Sequence, residues 1–141
     1  MLSERIEALL PHVGAMRMIA EVVRWSDEDI ECVACSHHDP ANPLRIEGAL
    51  PAACGLEYGA QAMAIHGALM AGRDAKPQVG LLVAAHELVW HVARLDTVAG
   101  ALKVRARRLL GSAHQVAYEF DVLDSQRSLV HGRASVMLAV A

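Results

Sequence analysis

The middle of the chain carries a long apolar segment that differs from everything around it. Residues 52–72 contain no proline and are nearly all small or apolar around the whole circumference of a helix, which predicts a helix buried on most sides. Pro51 suits the first turn of that helix. A shorter helix is predicted over residues 4–10, because Ser3 can cap it and Pro11 ends it. The pattern therefore predicts two helices, the second of them in the core.

Six other stretches have the pattern of strands. Residues 16–24 are rich in Ile and Val and end at a polar turn, after which residues 30–34 alternate between apolar and polar positions. Four further strands are predicted after the central helix, over residues 78–92, 102–110, 114–123 and 129–140. This order of elements predicts an α+β fold in which one antiparallel sheet wraps around a single buried helix.

Residues 36–50 form the longest predicted loop, with two prolines, an asparagine and a glycine that favour turns. Long loops in small domains are more often functional than not, since binding and catalytic groups are concentrated there. No linker, repeat or block of like charge interrupts the sequence, so residues 1–141 are predicted to form one domain.

Composition excludes several classes of protein. Hydrophobic residues make up 54% of the chain and charged residues 21%, which is too apolar for a disordered protein. The net charge of -3 is scattered without a basic stripe, so nucleic acid is not expected as a partner. Glu57 and His66 interrupt the apolar segment, which argues against a membrane span. With no apolar leader and an odd number of cysteines, three, the sequence predicts a cytoplasmic protein.

The polar residues of the buried helix are the first candidates for chemistry. Glu57 and Gln61 are spaced i, i+4 and lie about 40° apart on one face, so their side chains can meet. A carboxylate there loses hydration and becomes suited to proton transfer, although a Glu that pairs with an Arg at a rim would fit equally well. Gln61 can fix the Glu57 rotamer or can be a buried amide with other partners. His66 lies about 180° around the helix and cannot share this face.

Two cysteines and two histidines lie close together in the sequence, as in some metal sites, but their spacing on the predicted strand argues against one. Cys32 and Cys35 precede His37 and His38, but residues three apart on a strand point to opposite faces, so no metal is expected. No P-loop or dinucleotide fingerprint is present, so no cofactor is expected either. Cys54 is either a thiolate favoured by the helix dipole or a small apolar filler. His38, in the loop ahead of the helix, is a possible partner of the helix glutamate.

A known family shares these motifs. Residues 50–62 read Leu-Pro-Ala-Ala-Cys-Gly-Leu-Glu-Tyr-Gly-Ala-Gln-Ala, and with residues 9–16 and the Asp-Pro pair at 39–40 they resemble the 3-hydroxyacyl-acyl-carrier-protein dehydratases of the FabA and FabZ type. The proline, glutamate and glutamine keep the register of the family's helical motif. The Leu-Glu-Tyr, two residues, Gln-Ala run also resembles the divergent dehydratases of aryl polyene lipid clusters, which are the nearest subgroup.

The resemblance implies a hotdog fold and a pair of chains with the substrate between them. It implies a homodimer, with a higher oligomer or a heterodimer with another hotdog chain as alternatives. The substrate would be a 3-hydroxyacyl thioester of acyl carrier protein or coenzyme A, converted to the trans-2-enoyl thioester. Glu57 would be the acid/base, Gln61 would hold it or a water, and the backbone N–H of Ala52 would polarise the thioester carbonyl.

In the family that the chain resembles, the helix acid works with a loop histidine from the facing subunit, and this histidine has no direct counterpart here. Counting back from Glu57 without gaps places Asn42 and Pro43 where the family has Gly-His. Three explanations stay open: His38 supplies the imidazole, Glu57 works with Asn42, or this chain pairs with an active subunit. Two other functions also remain, an acyl-thioester hydrolase that uses Glu57 with Asn42, and a non-catalytic partner subunit.

Overall fold

Six antiparallel strands form one sheet in the computed structural model, which describes residues 16–72, 79–112 and 115–139. The strand order is β1-β2-β4-β5-β6-β3. The strands are β1 (Glu21–Trp25), β2 (Asp29–Ala34), β3 (Val79–Trp90), β4 (Leu102–Gly111), β5 (Gln115–Leu123) and β6 (Ser128–Ala139). The predicted helix over residues 4–10 and the motif residues 9–15 lie outside the described residues.

The predicted strands are confirmed except at the start of the first one. The sequence predicts a strand from residue 16, whereas β1 begins at Glu21. The backbone just before it is occupied by a side chain, because Met18 N–H donates to Gln61 Oε1 at 2.7 Å and Met16 C=O accepts from Gln61 Nε2 at 2.8 Å. These bonds replace the strand ladder that the pattern of apolar residues predicts.

The predicted central helix begins as a 3₁₀ turn, Ala52–Cys54, and continues as α1, Gly55–Ala71. It ends where Gly72 adopts φ 86°, a conformation that glycine accepts without strain. Gly59 is required for close packing, since a Cβ at that position would lie 2.6 Å from the ring of Phe120 on β5. The absence of side-chain bulk lets the helix rest directly on the sheet.

The sheet encloses this helix. α1 packs against β2, β4, β5 and β6, and the core between them is formed by buried apolar side chains from all of these elements. β3 follows the helix in sequence yet pairs with β6 at the far edge, so the chain crosses the sheet through α1. This arrangement is the hotdog fold that the family resemblance implies, and the predicted α+β class is confirmed.

Candidate active site

Gln61 and Glu57 meet in the first two turns of α1, as their spacing predicts. Gln61 is fully buried, and its Nε2 donates to Glu57 Oε1 at 3.1 Å. The same nitrogen donates to Met16 C=O, while Oε1 accepts Met18 N–H. Both N–H groups and the oxygen of the carboxamide are therefore in use, which fixes its orientation and holds one oxygen of the Glu57 carboxylate in place.

Glu57 lies half-buried in the first turn of α1, where the helix dipole favours a negative charge. Cys54 lies one turn earlier and is partly buried. Burial, and to a lesser extent the Glu57 charge, raise the pKa of the Cys54 thiol. A protonated thiol is a poor nucleophile, so the glutamate stays the candidate for chemistry at this end of the helix.

Asn42 is buried in the loop ahead of the helix, and its carboxamide bonds mainly to that loop. Nδ2 donates to Ser36 C=O at 2.9 Å, and Oδ1 accepts Leu44 N–H at 2.9 Å. A longer contact of 3.4 Å joins Nδ2 to the hydroxyl of Tyr58 on the helix. Asn42 thus shapes the loop and ties it to the residue next to Glu57.

His38 faces the segment between β3 and β4. Its Nε2 lies 2.6 Å from Val98 C=O, and Nε2 of the buried His37 lies 3.2 Å from the same oxygen. The two rings are 3.9 Å apart. Burial, together with the charge of His38, lowers the pKa of His37. His38 is thus held against the segment between β3 and β4 of its own chain.

The assignment of Ala52 N–H as the donor to the thioester carbonyl needs correction. That N–H already donates to Ala93 C=O at 3.1 Å, next to the bridge between Pro51 and Arg94. The N–H of the following residue, the exposed Ala53, has no acceptor among the described residues. The helix start therefore still presents an unused donor, one residue later than predicted.

Cys32 is buried within β2, whereas Cys35 lies just beyond the end of that strand and is exposed. Burial, followed by the Glu31 charge, raises the pKa of Cys32 to about 12. Within residues 16–72, 79–112 and 115–139, no three His, Cys, Asp or Glu side chains converge on a possible metal position.

None of the helices in these ranges is long and apolar enough to cross a membrane.

A cavity of about 250 Å³ lies between the second half of α1 and the sheet. Small helix residues open it, Ala64, Gly67 and Ala68 among them, and Arg108 and Tyr118 line the opposite wall. Beside it, His66 Nδ1 lies 2.7 Å from the Tyr118 hydroxyl and Nε2 lies 2.7 Å from Ser26 C=O. Helix periodicity places His66 on a different face from Glu57. Nothing in the sequence around His66 indicates that Tyr118 and Ser26 are its hydrogen-bond partners.

Comparison with known proteins gives one family and several solved structures that share one fold. Residues 4–140 match the family model of the ApeP-like proteins, described as ApeP dehydratase. A search of curated proteins finds no match. Among solved structures, the dehydratase heterocomplex ApeI:P from Xenorhabdus doucetiae matches with a TM-score of 0.86 and 22% identity, over 96% of this chain and 91% of that one.

Two other solved structures have the same fold at lower similarity. AziG from S. sahachiroi has a TM-score of 0.67 and 16% identity over 94% of this chain and 99% of its own. A hypothetical thioesterase with coenzyme A from Streptococcus pneumoniae has a TM-score of 0.61 and 10% identity over 84% of each chain. These likenesses show the fold alone.

Proposed function

The chain belongs to the ApeP-like dehydratase family, and from that premise we propose that it removes water from 3-hydroxyacyl thioesters of an acyl carrier protein. The product is the trans-2-enoyl thioester. The observation that carries this proposal is the Glu57 carboxylate, held by the fully bonded Gln61 at the start of a buried helix. The unused N–H of Ala53 lies four residues before it.

Each chemical step of the dehydration has a candidate group. The N–H of Ala53 polarises the thioester carbonyl, which makes the C2 proton more acidic. A base removes that proton, the C2–C3 double bond forms, and the C3–O bond breaks as Glu57 protonates the departing hydroxyl. The base is His38 of a facing subunit or a residue of a different hotdog chain. One water leaves for each thioester converted.

A second hotdog chain is part of this proposal. The structural neighbour from Xenorhabdus doucetiae is the dehydratase heterocomplex ApeI:P. In the present chain, α1 is exposed at Gly67 and Ala71, beside the cavity between the helix and the sheet, and β3 is an edge strand. A pair of like chains would cover both features, and a pair of unlike chains would also supply a base from the partner.

Hydrolysis of the thioester is the weaker candidate. It would require Asn42 to work beside Glu57 on a water molecule, but both ends of the Asn42 carboxamide bond to the loop. The thioesterase neighbours support only the fold. Dehydration therefore accounts better for the site.

The decisive experiment offers the purified protein a 3-hydroxyacyl and a 2-enoyl thioester of acyl carrier protein, or of coenzyme A, and follows their intact masses. Loss of one water from the first, or gain of one by the second, supports dehydration. Glu57→Gln should reduce turnover by about 10²-fold or more, whereas Glu47→Gln, at an exposed loop tip, should not. Release of free acid would instead indicate a hydrolase, and no change with or without a partner chain would indicate a non-catalytic subunit.

A further inference from the structure

The hydroxyl group of Tyr58 joins the active-site helix to the loop ahead of it. Tyr58 is fully buried, and its oxygen lies 2.8 Å from Ser36 Oγ. Ser36 Oγ lies 2.9 Å from Met18 C=O, which can only accept a hydrogen bond. Ser36 therefore gives its one hydrogen to Met18, so Tyr58 must be the donor to Ser36.

The same oxygen of Tyr58 accepts from the loop. Asn42 Nδ2 approaches it at 3.4 Å while donating at 2.9 Å to Ser36 C=O. The direction of donation thus runs from Asn42 to Tyr58, from Tyr58 to Ser36, and from Ser36 to the Met18 carbonyl. Asn42 Nδ2 also lies 3.5 Å from Met18 Sδ, so its second hydrogen is shared between the Tyr58 hydroxyl and this sulfur.

These hydrogen bonds connect back to the helix through the N–H group of Met18. Met18 N–H donates to Gln61, and Gln61 donates to Glu57. The peptide groups flanking Met18 are therefore held from both sides, by Tyr58 through Ser36 and by Gln61 directly. Buried polar networks in which every member is bonded are rigid, and their members act together.

We propose that Tyr58 is a positioning residue that fixes the loop over residues 36–45 relative to Glu57. The loop carries both His38 and Asn42, so its position sets where their side chains can meet a substrate. Burial raises the pKa of Tyr58, which keeps the phenol protonated and able to donate. The inference about the loop stands on geometry alone, and its kinetic consequence rests on the proposed dehydration.

Hydrogen exchange tests the loop directly. Tyr58→Phe removes one oxygen and should speed exchange of the N–H groups of Asn42, Leu44 and Arg45, which bond within the loop, by about fivefold or more. Tyr118→Phe is the matched control, since it removes the hydroxyl of another buried tyrosine bonded to His66. Equal loop exchange in both variants, or unchanged exchange in Tyr58→Phe, would overturn the proposal.

Kinetics test the effect on the site, with the partner chain present if activity requires one. Tyr58→Phe should lower kcat about tenfold with KM within about twofold, because binding groups remain while alignment is lost. Tyr118→Phe should leave kcat near the wild-type value. If Tyr58→Phe fails to fold, Ser36→Ala cuts the same network from the loop side and should show both effects. A wild-type protein without turnover would refute the dehydration and leave the exchange result to decide the positioning role.

Discussion

His66 shows how a single buried side chain makes stability depend on pH. Its Nε2 faces the Ser26 carbonyl and must carry the hydrogen, so Nδ1 accepts the Tyr118 hydroxyl hydrogen. Burial lowers the pKa of His66, against a smaller opposing effect of the bond to Ser26. The charge of Arg108 also lowers this pKa, while those of Asp29 and Asp27 raise it.

The consequence is a loss of stability in mild acid. Because the pKa of His66 is lower in the folded than in the unfolded chain, the unfolded chain binds more protons as the pH falls below about 6.5. We expect the free energy of unfolding in urea to fall by about 1 kcal/mol between pH 7.5 and 5.5. His66→Gln should reduce this pH dependence and leave the part due to His37, whereas His86→Gln, at an exposed position, should not alter it. Identical pH profiles for all three proteins would contradict the assignment.

For single residues, the sequence predicts hydrogen bonds between neighbours on the same helix or strand but not those between residues far apart in the chain. The contact of Gln61 with Glu57 follows from helix periodicity alone. The bonds of His38 to Val98 and of Ala52 to Ala93 join positions far apart in the chain. No local pattern encodes such pairs, because they depend on how the loops meet after the sheet has formed.

The helix depends on glycine where it touches the sheet. A Cβ on Gly59 would lie 2.6 Å from the buried ring of Phe120, whereas a Cβ on Gly67 would meet nothing within 4 Å in the chain. Gly59→Ala should therefore lower the free energy of unfolding by about 1–3 kcal/mol despite better helix propensity. Gly67→Ala should raise it by about 0.5–1 kcal/mol. Urea unfolding of both variants checks the pair, and a stabilising Gly59→Ala would show that the helix and the sheet pack less closely.

The segment between β3 and β4 holds the start of the helix in place. Asp96 accepts Leu50 N–H at 2.9 Å and pairs with Arg94, while Leu95 N–H donates to Leu50 C=O. The hydrogen bond and charge of Arg94 hold the pKa of Asp96 well below its ordinary 3.8. Since the folded pKa is the lower one, the stability that this carboxylate contributes is complete above about pH 4 and is lost as the pH falls through the folded pKa.

Asp96→Asn tests this contribution. The variant should be less stable than wild type at pH 6, and the difference should shrink as the pH falls from about 4 to 2, because the Asp96 carboxyl of the unfolded wild-type chain takes up a proton there while the folded one stays charged. Thermal unfolding across that range measures it. Asp27→Asn, at an exposed position, serves as the control. A difference that stays constant with pH would mean that the Asp96 charge has no part in fixing the helix start.

For the molecule as a whole, alternation and turn residues suffice to predict the strands, and the helical motif suffices to predict the hotdog fold. The order of strands is a different matter. β3 pairs with β6 rather than with a neighbour in sequence, and only the crossing through α1 explains this. The surface that remains outside the core is also a property of the whole fold. The outward face of α1 is formed by the small residues Ala60, Ala64, Gly67 and Ala71, about one turn apart, of which Gly67 and Ala71 are exposed and the other two half-buried.

Gly67→Arg tests whether this outward face is where two chains meet. Small residues allow helices to approach closely, so a long charged side chain at Gly67, near the exposed end of the face, should separate the chains. It should leave the core intact, because a Cβ there meets nothing within 4 Å in its own chain. We expect wild type to have the mass of two chains in size-exclusion light scattering, alone or with a second hotdog protein, and Gly67→Arg to have the mass of one chain. Ser125→Arg, in the exposed turn between β5 and β6, should pair like wild type. A Gly67→Arg protein that still pairs, with an unchanged circular dichroism spectrum, would place the contact between chains elsewhere, and the edge of β3 would then be the surface to mutate.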